Sequence, residues 1–307
     1  MLLNLGFRVI APDLMGFGGT VIPLYPCPSP PYSSALPRIN MPSTQDVPQV
    51  PPNPTSLYGC KRASDDFALL AKQLGCSRIV ILGHDWGGMV VWRMAQWHPD
   101  LVTHVIVVCT TYARPQKKYI SIEQLITSGG LPHFGYQQHL ASPEVESRIR
   151  SEQDVRKFLH GMYGALGPNG ETIFSPEKGV LFENLDKIGK TRLLTDSEMD
   201  YYVSQYSRNG LHGAANWYRT REANWKDDLQ LIEMGRTKVE QPTLFIQATR
   251  DNVFIPAMVA NMGKNIPKLT VKPVEANHWA LWEKPTECNA ILEQWLKENV
   301  VGSRSSL

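Results

Sequence analysis

Five short segments of the chain are rich in β-branched and aliphatic residues, and most of them are apolar on both faces. They are residues 7–13, 77–83, 103–109, 242–248 and 268–274. Strands buried on both faces are typical of a parallel sheet that is covered by helices. The pattern therefore predicts five strands of one sheet, spread over most of the chain.

Segments with helical spacing of their apolar residues lie between these strands. In residues 63–74, Asp65 and Asp66 lie near the start and Gly75 comes just after the end. Acidic residues in the first turn and a glycine after the last turn are typical of a helix. Residues 289–300 predict a final amphipathic helix. Strands that alternate with helices predict an α/β fold, with a mostly parallel sheet flanked by helices.

Two stretches interrupt this alternation. Residues 21–54 contain eleven prolines and no periodicity, which is typical of a loop or linker. Residues 113–238 are helical in pattern, rich in aromatic residues and without a convincing strand. We therefore predict a core formed by residues 1–112 and 239–307, into which an all-helical cap, 113–238, is inserted.

Composition and charge narrow the possible functions. The chain has 307 residues, 42% hydrophobic content and a formal net charge of +2, so it can build a sizeable core and offers no basic footprint for nucleic acid. No apolar run approaches the ~20 residues of a membrane span, and the N-terminus does not have the pattern of a signal peptide. We also expect no metal and no cofactor, because neither a ligand cluster nor a nucleotide loop is present.

Five scattered cysteines without a CxxC pair predict reduced thiols and a cytoplasmic protein. The C-terminal residues 305–307, Ser-Ser-Leu, resemble a peroxisomal signal only weakly, because the basic residue is absent.

The sequence Gly-His-Asp-Trp-Gly-Gly at 83–88 is the most specific local signal. It follows the strand 77–83 and precedes a predicted helix, 89–97. Small residues on both sides of a central side chain suit a tight strand-to-helix turn that exposes that side chain at the end of the sheet. Asp85 is therefore the candidate nucleophile, whereas we expect His84 to be hydrogen-bonded within the turn.

Aspartate in this position indicates attack on an alkyl carbon rather than acyl transfer. A carboxylate that displaces a leaving group from sp³ carbon forms an ester, which water can then cleave at the enzyme's own carbonyl. A serine would form an ether, which water does not readily cleave. The residue type therefore favours an epoxide or an alkyl halide as the substrate.

Two further residues follow predicted strands and have the matching chemistry. Asp251 comes just after the strand 242–248, and His278 comes just after the strand 268–274. The order nucleophile, acid, base is that of the α/β-hydrolase fold. We expect His278 to activate water as general base and Asp251 to orient it and stabilise its charged form.

At these residues the chain resembles the soluble epoxide hydrolases of the α/β-hydrolase superfamily, from about Phe7 to about Glu298. The matching segments are residues 9–18, 83–88, 276–279 and 284–287. The resemblance implies an α/β-hydrolase core with a helical cap. It also implies a small apolar epoxide and water as reactants, a vicinal diol as product, and a monomer or homodimer.

The resemblance also assigns roles to three more residues. Tyr136 and Tyr218 lie in segments that resemble the two cap tyrosine sites of the family. In the family these phenols hydrogen-bond the epoxide oxygen and protonate it as the ring opens. Trp86, directly after the nucleophile, would contribute its backbone N–H to the oxyanion hole.

The chain departs from the family pattern in two places. The family carries a His-Gly-x-Pro turn and further strands before the strand at Phe7, and this chain shows no such motif, so we expect those N-terminal strands to be missing. Residues 21–45 fall outside the resemblance. We interpret them as a proline-rich insertion, with a retained intron as one origin, because valine codons begin with GT and a glutamine codon can be CAG.

Two alternative functions remain open from the sequence. A haloalkane dehalogenase would use the same Asp85 and His278, with halide bound by Trp86 and a second N–H donor. The missing His-Gly-x-Pro segment instead favours a catalytically impaired α/β-hydrolase-fold fragment. The paired cap tyrosines favour the epoxide over the halide.

Overall fold

A computed structural model of the chain describes residues 1–18, 20 and 55–302. The insertion 21–45 and the tail 305–307 that the sequence singles out lie outside the described residues. Six strands are present: β1 Ile79–His84, β2 Val102–Val108, β3 Phe174–Ser175, β4 Gly179–Val180, β5 Thr243–Ala248 and β6 Leu269–Val274. Four of them form one parallel sheet in the order β1-β2-β5-β6.

Twelve α-helices lie in the described part of the chain. They are α1 Cys60–Gln73, α2 Trp86–Trp97, α3 Ile122–Thr127, α4 Gly135–Ala141, α5 Pro143–Arg148, α6 Glu152–Met162, α7 Asp196–Asn209, α8 His212–Asn216, α9 Arg221–Glu233, α10 Pro256–Val259, α11 Ala280–Glu283 and α12 Pro285–Leu296. Short 3₁₀ turns span Leu2–Leu5, Thr55–Tyr58, Pro132–Phe134, Phe182–Lys187, Trp217–Arg219 and Met262–Lys264, and a π-helical turn, Lys297–Val301, follows α12. None of these described helices has the length and apolar character that crossing a membrane demands.

Four of the five predicted strands are present within two residues of their predicted bounds. The fifth prediction, a strand at 7–13, is wrong: these residues have no regular structure, and Val9 and Ile10 are 47% and 44% exposed. A strand needs a neighbour to satisfy its backbone hydrogen bonds. Among the described strands, β1 pairs with β2 alone, and none pairs with the segment 7–13.

The central strands explain why their sequences are apolar at consecutive positions. Val105 and Val107 of β2 pack with Trp92 of α2 on one face of the sheet, whereas Ile106 and Val108 join a cluster that contains α12 on the other face. Both faces of the strand are therefore buried beneath helices. Burial of each such side chain contributes about 1.5–3 kcal/mol to the free energy of unfolding.

The regular structure of the segment between β2 and β5 is mostly helical, and the segment folds over the carboxyl edge of the sheet. One detail differs from the all-helical prediction, because β3 and β4 pair as a two-residue antiparallel ladder. Capping boxes begin α3, α6 and α7, with Ser121, Ser151 and Thr195 as their N-caps. Polar caps of this kind typically contribute about 1 kcal/mol each to helix stability.

Several contacts attach this helical segment to the core, among them the ion pair between Arg93 of α2 and Asp228 of α9, and two others bear on the candidate site. The indole N–H of Trp217 donates to the backbone oxygen of Met15 at 2.9 Å. Close by, Gly16 meets Gly213 so tightly that a Cβ on Gly16 would lie 2.6 Å from the Cα of Gly213. The second contact, made by Trp279, lies beside the candidate general base and is described with the site.

Candidate functional site

Asp85 occupies a strained turn between β1 and α2. Its backbone has φ 53° and ψ −124°, a conformation that costs a non-glycine residue roughly 1–3 kcal/mol. A Cβ on Gly83 would lie 2.3 Å from the backbone oxygen of Gly87, and one on Gly88 would lie 2.8 Å from Cβ of Thr110. Nothing crowds the missing Cβ of Gly87 itself, so the close approach demands glycine at 83 and 88 rather than at 87.

The predicted acid and base meet Asp85 at the carboxyl ends of the strands. His278 Nδ1 lies 2.9 Å from Oδ2 of Asp251, and His278 Nε2 lies 3.3 Å from Oδ2 of Asp85. The other oxygen of Asp251 accepts hydrogen bonds from the backbone N–H groups of Val253 and Phe254 at 2.7 and 3.2 Å. The imidazole is thus held between two carboxylates, and the buried carboxylate is itself fixed by backbone donors.

The imidazole of His278 and the two carboxylates stabilise each other's charged forms. Burial alone would lower the pKa of His278, but hydrogen bonds and attraction from Asp251 and Asp85 outweigh it and raise the pKa of His278 to about 10. Burial would likewise raise the pKa values of Asp85 and Asp251, and His278 instead keeps both below the ordinary value. With Asp85 ionised, His278 is therefore an imidazolium at neutral pH.

Two residues that the sequence did not identify hold the backbone of His278. His84 Nε2 lies 2.7 Å from the backbone oxygen of His278, and the thiol of Cys109 donates to the same oxygen at 3.3 Å. The prediction that His84 is hydrogen-bonded within its own turn is wrong, because its partner lies 194 residues away. Burial and the nearby charge of His278 lower the pKa of His84 to about 4, so His84 is a neutral donor.

Ligand atoms of His84, Cys109 and His278 lie within 4.8 Å of one another, the spacing of a small metal site. His84 and Cys109 are both directed at the backbone oxygen of His278, and the two ring nitrogens of His278 face carboxylates. The hydrogen bonds of this cluster therefore hold His278 in place.

Two phenols, one buried and one half-buried, line the same cavity as Asp85. Tyr136 is on α4, Tyr218 follows α8, and their ring centroids are 6.0 Å apart. The Tyr218 ring also stands edge-on to Trp86 at 5.3 Å, and Gln137 donates to the hydroxyl of Tyr136 at 3.3 Å. Burial, followed by repulsion from the Asp85 carboxylate, raises the pKa of both phenols well above the usual range, so both are protonated donors.

Trp86 begins α2, and its backbone N–H helps to lower the pKa of the Asp85 carboxylate. A helix N-terminus carries partial positive charge and stabilises an anion there. The backbone N–H of Trp86, the predicted oxyanion-hole donor, lies at this helix N-terminus next to Asp85.

A cavity of about 1220 Å³ connects the groups predicted from the sequence. Asp85, His278, Asp251, Tyr136 and Tyr218 all contribute to its wall. Most other lining residues are apolar or aromatic, and Leu140, Phe158, Leu159, Phe174 and Leu211 are among them. An apolar cavity with a few converging polar groups is typical of a small-molecule site.

Trp279 connects the loop of His278 to α6. Its indole N–H donates to the backbone oxygen of Met162 at 2.7 Å, and its ring stacks on Tyr163 with centroids 4.2 Å apart. Because Trp279 directly follows His278, this contact joins the general-base loop to the helical segment above it.

The sequence profile of the alpha/beta hydrolase fold matches residues 2–285 of the chain. The chain is 33% identical to epoxide hydrolase srdG of Neurospora crassa over 305 residues, which are 97% of the chain and 80% of that protein. It is 30% identical to bifunctional epoxide hydrolase 2 of the rat, Rattus norvegicus, over 97% of the chain and 48% of the rat protein. The chain thus spans about half the length of the bifunctional relative.

Solved structures give the same architecture. Epoxide hydrolase A of Mycobacterium thermoresistibile superposes with a TM-score of 0.69 at 22% identity, covering 93% of this chain and 81% of that one. Epoxide hydrolase I of potato, Solanum tuberosum, gives a TM-score of 0.65 at 23% identity, covering 93% and 82%. At this level of identity the superpositions establish the fold.

Proposed function

The chain belongs to the alpha/beta hydrolase fold and, within it, to the epoxide hydrolases, and from this membership we propose a two-step reaction through a covalent ester on Asp85. One observation carries the proposal. A carboxylate, an imidazole 3.3 Å from it and two protonated phenols face one apolar cavity. The reactants are a small apolar epoxide and water, and the product is a vicinal diol.

In the first step, a carboxylate oxygen of Asp85 attacks a ring carbon and the carbon–oxygen bond of the epoxide breaks. The ring oxygen becomes an alkoxide unless it is protonated, so it needs donors at the moment of opening. Tyr136 and Tyr218 serve as these donors, and one of them transfers its proton. The product is a hydroxyalkyl ester and a phenolate.

Esterification also changes the charge on the general base. Asp85 loses its negative charge, so an attraction that holds the pKa of His278 near 10 is removed. The imidazolium can then release its proton, which replaces the one given up by the phenol. After this transfer the phenols are neutral again and His278 is a free base.

In the second step, His278 removes a proton from water, and the resulting hydroxide attacks the carbonyl carbon of the ester. Negative charge develops on the Asp85 carbonyl oxygen, where the backbone N–H of Trp86 stabilises it. Asp251 holds the imidazole in orientation and stabilises its charged form. Collapse of the intermediate releases the diol and restores the Asp85 carboxylate.

The cap residues do not favour the alternative function, a haloalkane dehalogenase. A departing halide is already a stable anion and needs no proton, whereas an epoxide oxygen does. The two protonated phenols therefore match the epoxide. The relatives reported above are also named epoxide hydrolases.

The test is the His278→Gln variant, incubated with a terminal epoxide and examined by intact mass. We expect a mass increase equal to the substrate, mapped to the peptide that contains Asp85, because the ester forms without a base to hydrolyse it. The matched control, Asp85→Ala combined with His278→Gln, should gain no mass.

An independent measurement uses a single turnover of the unmodified protein in H₂¹⁸O. The diol formed in the first cycle should contain ordinary oxygen from Asp85, and ¹⁸O should remain in the Asp85 carboxylate. A diol that already contains ¹⁸O in the first turnover means direct attack by water, and this result would overturn the covalent route.

A further inference from the structure

A third tyrosine, Tyr206, faces the same cavity. It lies on α7, one turn after Tyr202, and its ring stands edge-on to Phe17 with centroids 6.0 Å apart. Tyr206 is close enough to the reacting groups for the charge of Asp85 to influence its hydroxyl. Tyr163 also contributes to the wall, so the cavity is lined by four tyrosines, two more than the reaction uses.

The Tyr206 hydroxyl has no hydrogen-bond partner among the residues that the structure describes. It is not sealed in the protein interior either, because the side chain is half-buried and lines the cavity. Leu211, Ala214 and Ala215 line the cavity with it, and none of them offers a polar side-chain atom. The hydroxyl is therefore a polar group without a partner on the wall of a cavity that is mostly apolar.

The protonation of Tyr206 determines what it can bind. Burial, followed by Tyr202 and Asp85, raises its pKa to about 12, so the phenol remains a neutral donor at any physiological pH. A neutral donor pairs with an ether, carbonyl or hydroxyl oxygen. A donor that loses water on substrate binding and gains no new acceptor costs about 1–3 kcal/mol.

We propose that Tyr206 selects epoxides that carry a second oxygen in the substituent, as alkoxy-substituted terminal epoxides do. The ring oxygen is bound by Tyr136 and Tyr218, and the second oxygen accepts a hydrogen bond from Tyr206. An apolar substituent leaves that phenol unpaired, and a site built to hydrogen-bond a substrate discriminates against analogues that lack the group. This inference rests on the proposed function, because it assigns the substrate of that site.

The experiment compares epoxides of equal chain length. One is a plain 1,2-epoxyalkane, and the others carry a single ether oxygen at successive positions of the chain. With Tyr206→Phe we expect about a tenfold loss in kcat/KM for the best ether and a gain for the epoxyalkane, because no donor is then left unpaired beside its substituent. Tyr201→Phe, which removes an exposed hydroxyl from the same helix, should change neither.

The possible outcomes distinguish failure of this inference from failure of the proposed function. If the unmodified protein converts neither class of epoxide, the proposed function fails. If it converts both and Tyr206→Phe affects them equally or not at all, the inference alone is overturned.

A binding measurement makes the test independent of turnover. In the Asp85→Ala background, the added Tyr206→Phe change should weaken binding of the best ether about tenfold and tighten binding of the epoxyalkane. Equal affinities for the ether with and without Tyr206→Phe would contradict the proposal.

Discussion

The core and cap sides of the cavity hold their reactive groups by different means. On the core side, Asp85, Asp251 and His278 follow strand ends, and each has a second contact that fixes it. On the cap side, Tyr136 and Tyr218 are held mainly by burial and by ring contacts with aromatic neighbours. The ions are thus fixed by hydrogen bonds, and the neutral donors are fixed by packing.

This difference follows from what each side must do. An ion removed from water needs oriented partners, since unpaired charge in an apolar cavity is costly. A neutral phenol needs only to keep its proton, which burial ensures by raising its pKa. The two sides should therefore be separable in the kinetics: Asp85 takes part in both steps, whereas the cap phenols should affect mainly ester formation, and Asp251 and His278 mainly ester hydrolysis.

The largest expected effect comes from removing both cap hydroxyls. Tyr136→Phe and Tyr218→Phe together should slow ester formation by roughly 10²–10⁴-fold, since this is the usual contribution of a general acid. Each single change should cost only about tenfold, because the remaining phenol still donates. Rapid-mixing experiments measure both steps, and the rate of ester hydrolysis is the internal control. A near-native rate in the double variant would contradict the assignment of the phenols.

A smaller effect is expected from Asp251→Asn, and it should fall on ester hydrolysis rather than on ester formation. Loss of this carboxylate removes the partner that orients His278 and stabilises its charged form. Because His278 itself remains, ester hydrolysis should slow by about 10²-fold, the lower end of the usual contribution of a general base. Ester formation should change less than threefold, and the ester should accumulate in the steady state. Equal slowing of both steps would mean that the core and cap sides are not separable.

The smallest effect concerns the dependence of stability on pH. The folded-state pKa of His278 is raised to about 10, so its ion pairs stabilise the fold fully below pH ~6.5 and progressively less as pH rises towards 10. The melting temperature should therefore fall more from pH 7 to pH 10 in the unmodified protein than in His278→Gln. Parallel curves would show that the raised pKa does not contribute to stability, and titrating groups that do not interact with His278 cancel in the comparison.

The core side could be predicted from the sequence because its residues sit at positions that strands define. Apolar segments give the strand ends, and parallel strands bring these ends to one edge of the sheet. Asp85, Asp251 and His278 were therefore assigned from position and chemistry. The cap tyrosines have no such position, and only the resemblance to a family distinguished Tyr136 and Tyr218 from packed aromatics.

Other features depended on contacts that are distant in sequence. His84 bonds a backbone oxygen at residue 278, and no local pattern indicates a partner so remote. The segment 7–13 has the composition of a strand, but strand formation depends on a neighbour that composition does not supply. Tyr206 was not identified because its spacing on α7 also fits an ordinary packed residue.

The indole of Trp279 has a consequence for how substrate reaches the cavity. Its bond to Met162 lies on one side of the cap, and the bond from Trp217 to Met15 is a second attachment elsewhere on the cap. Lifting the cap as a rigid lid would break both bonds, at about 1 kcal/mol each, and would pull on the loop of His278. Substrate that enters through a fixed portal between the cap and the core avoids that cost. Hydrogen exchange offers a check, because a hinged lid predicts correlated opening of α6 and the His278 loop during turnover, whereas a portal predicts none.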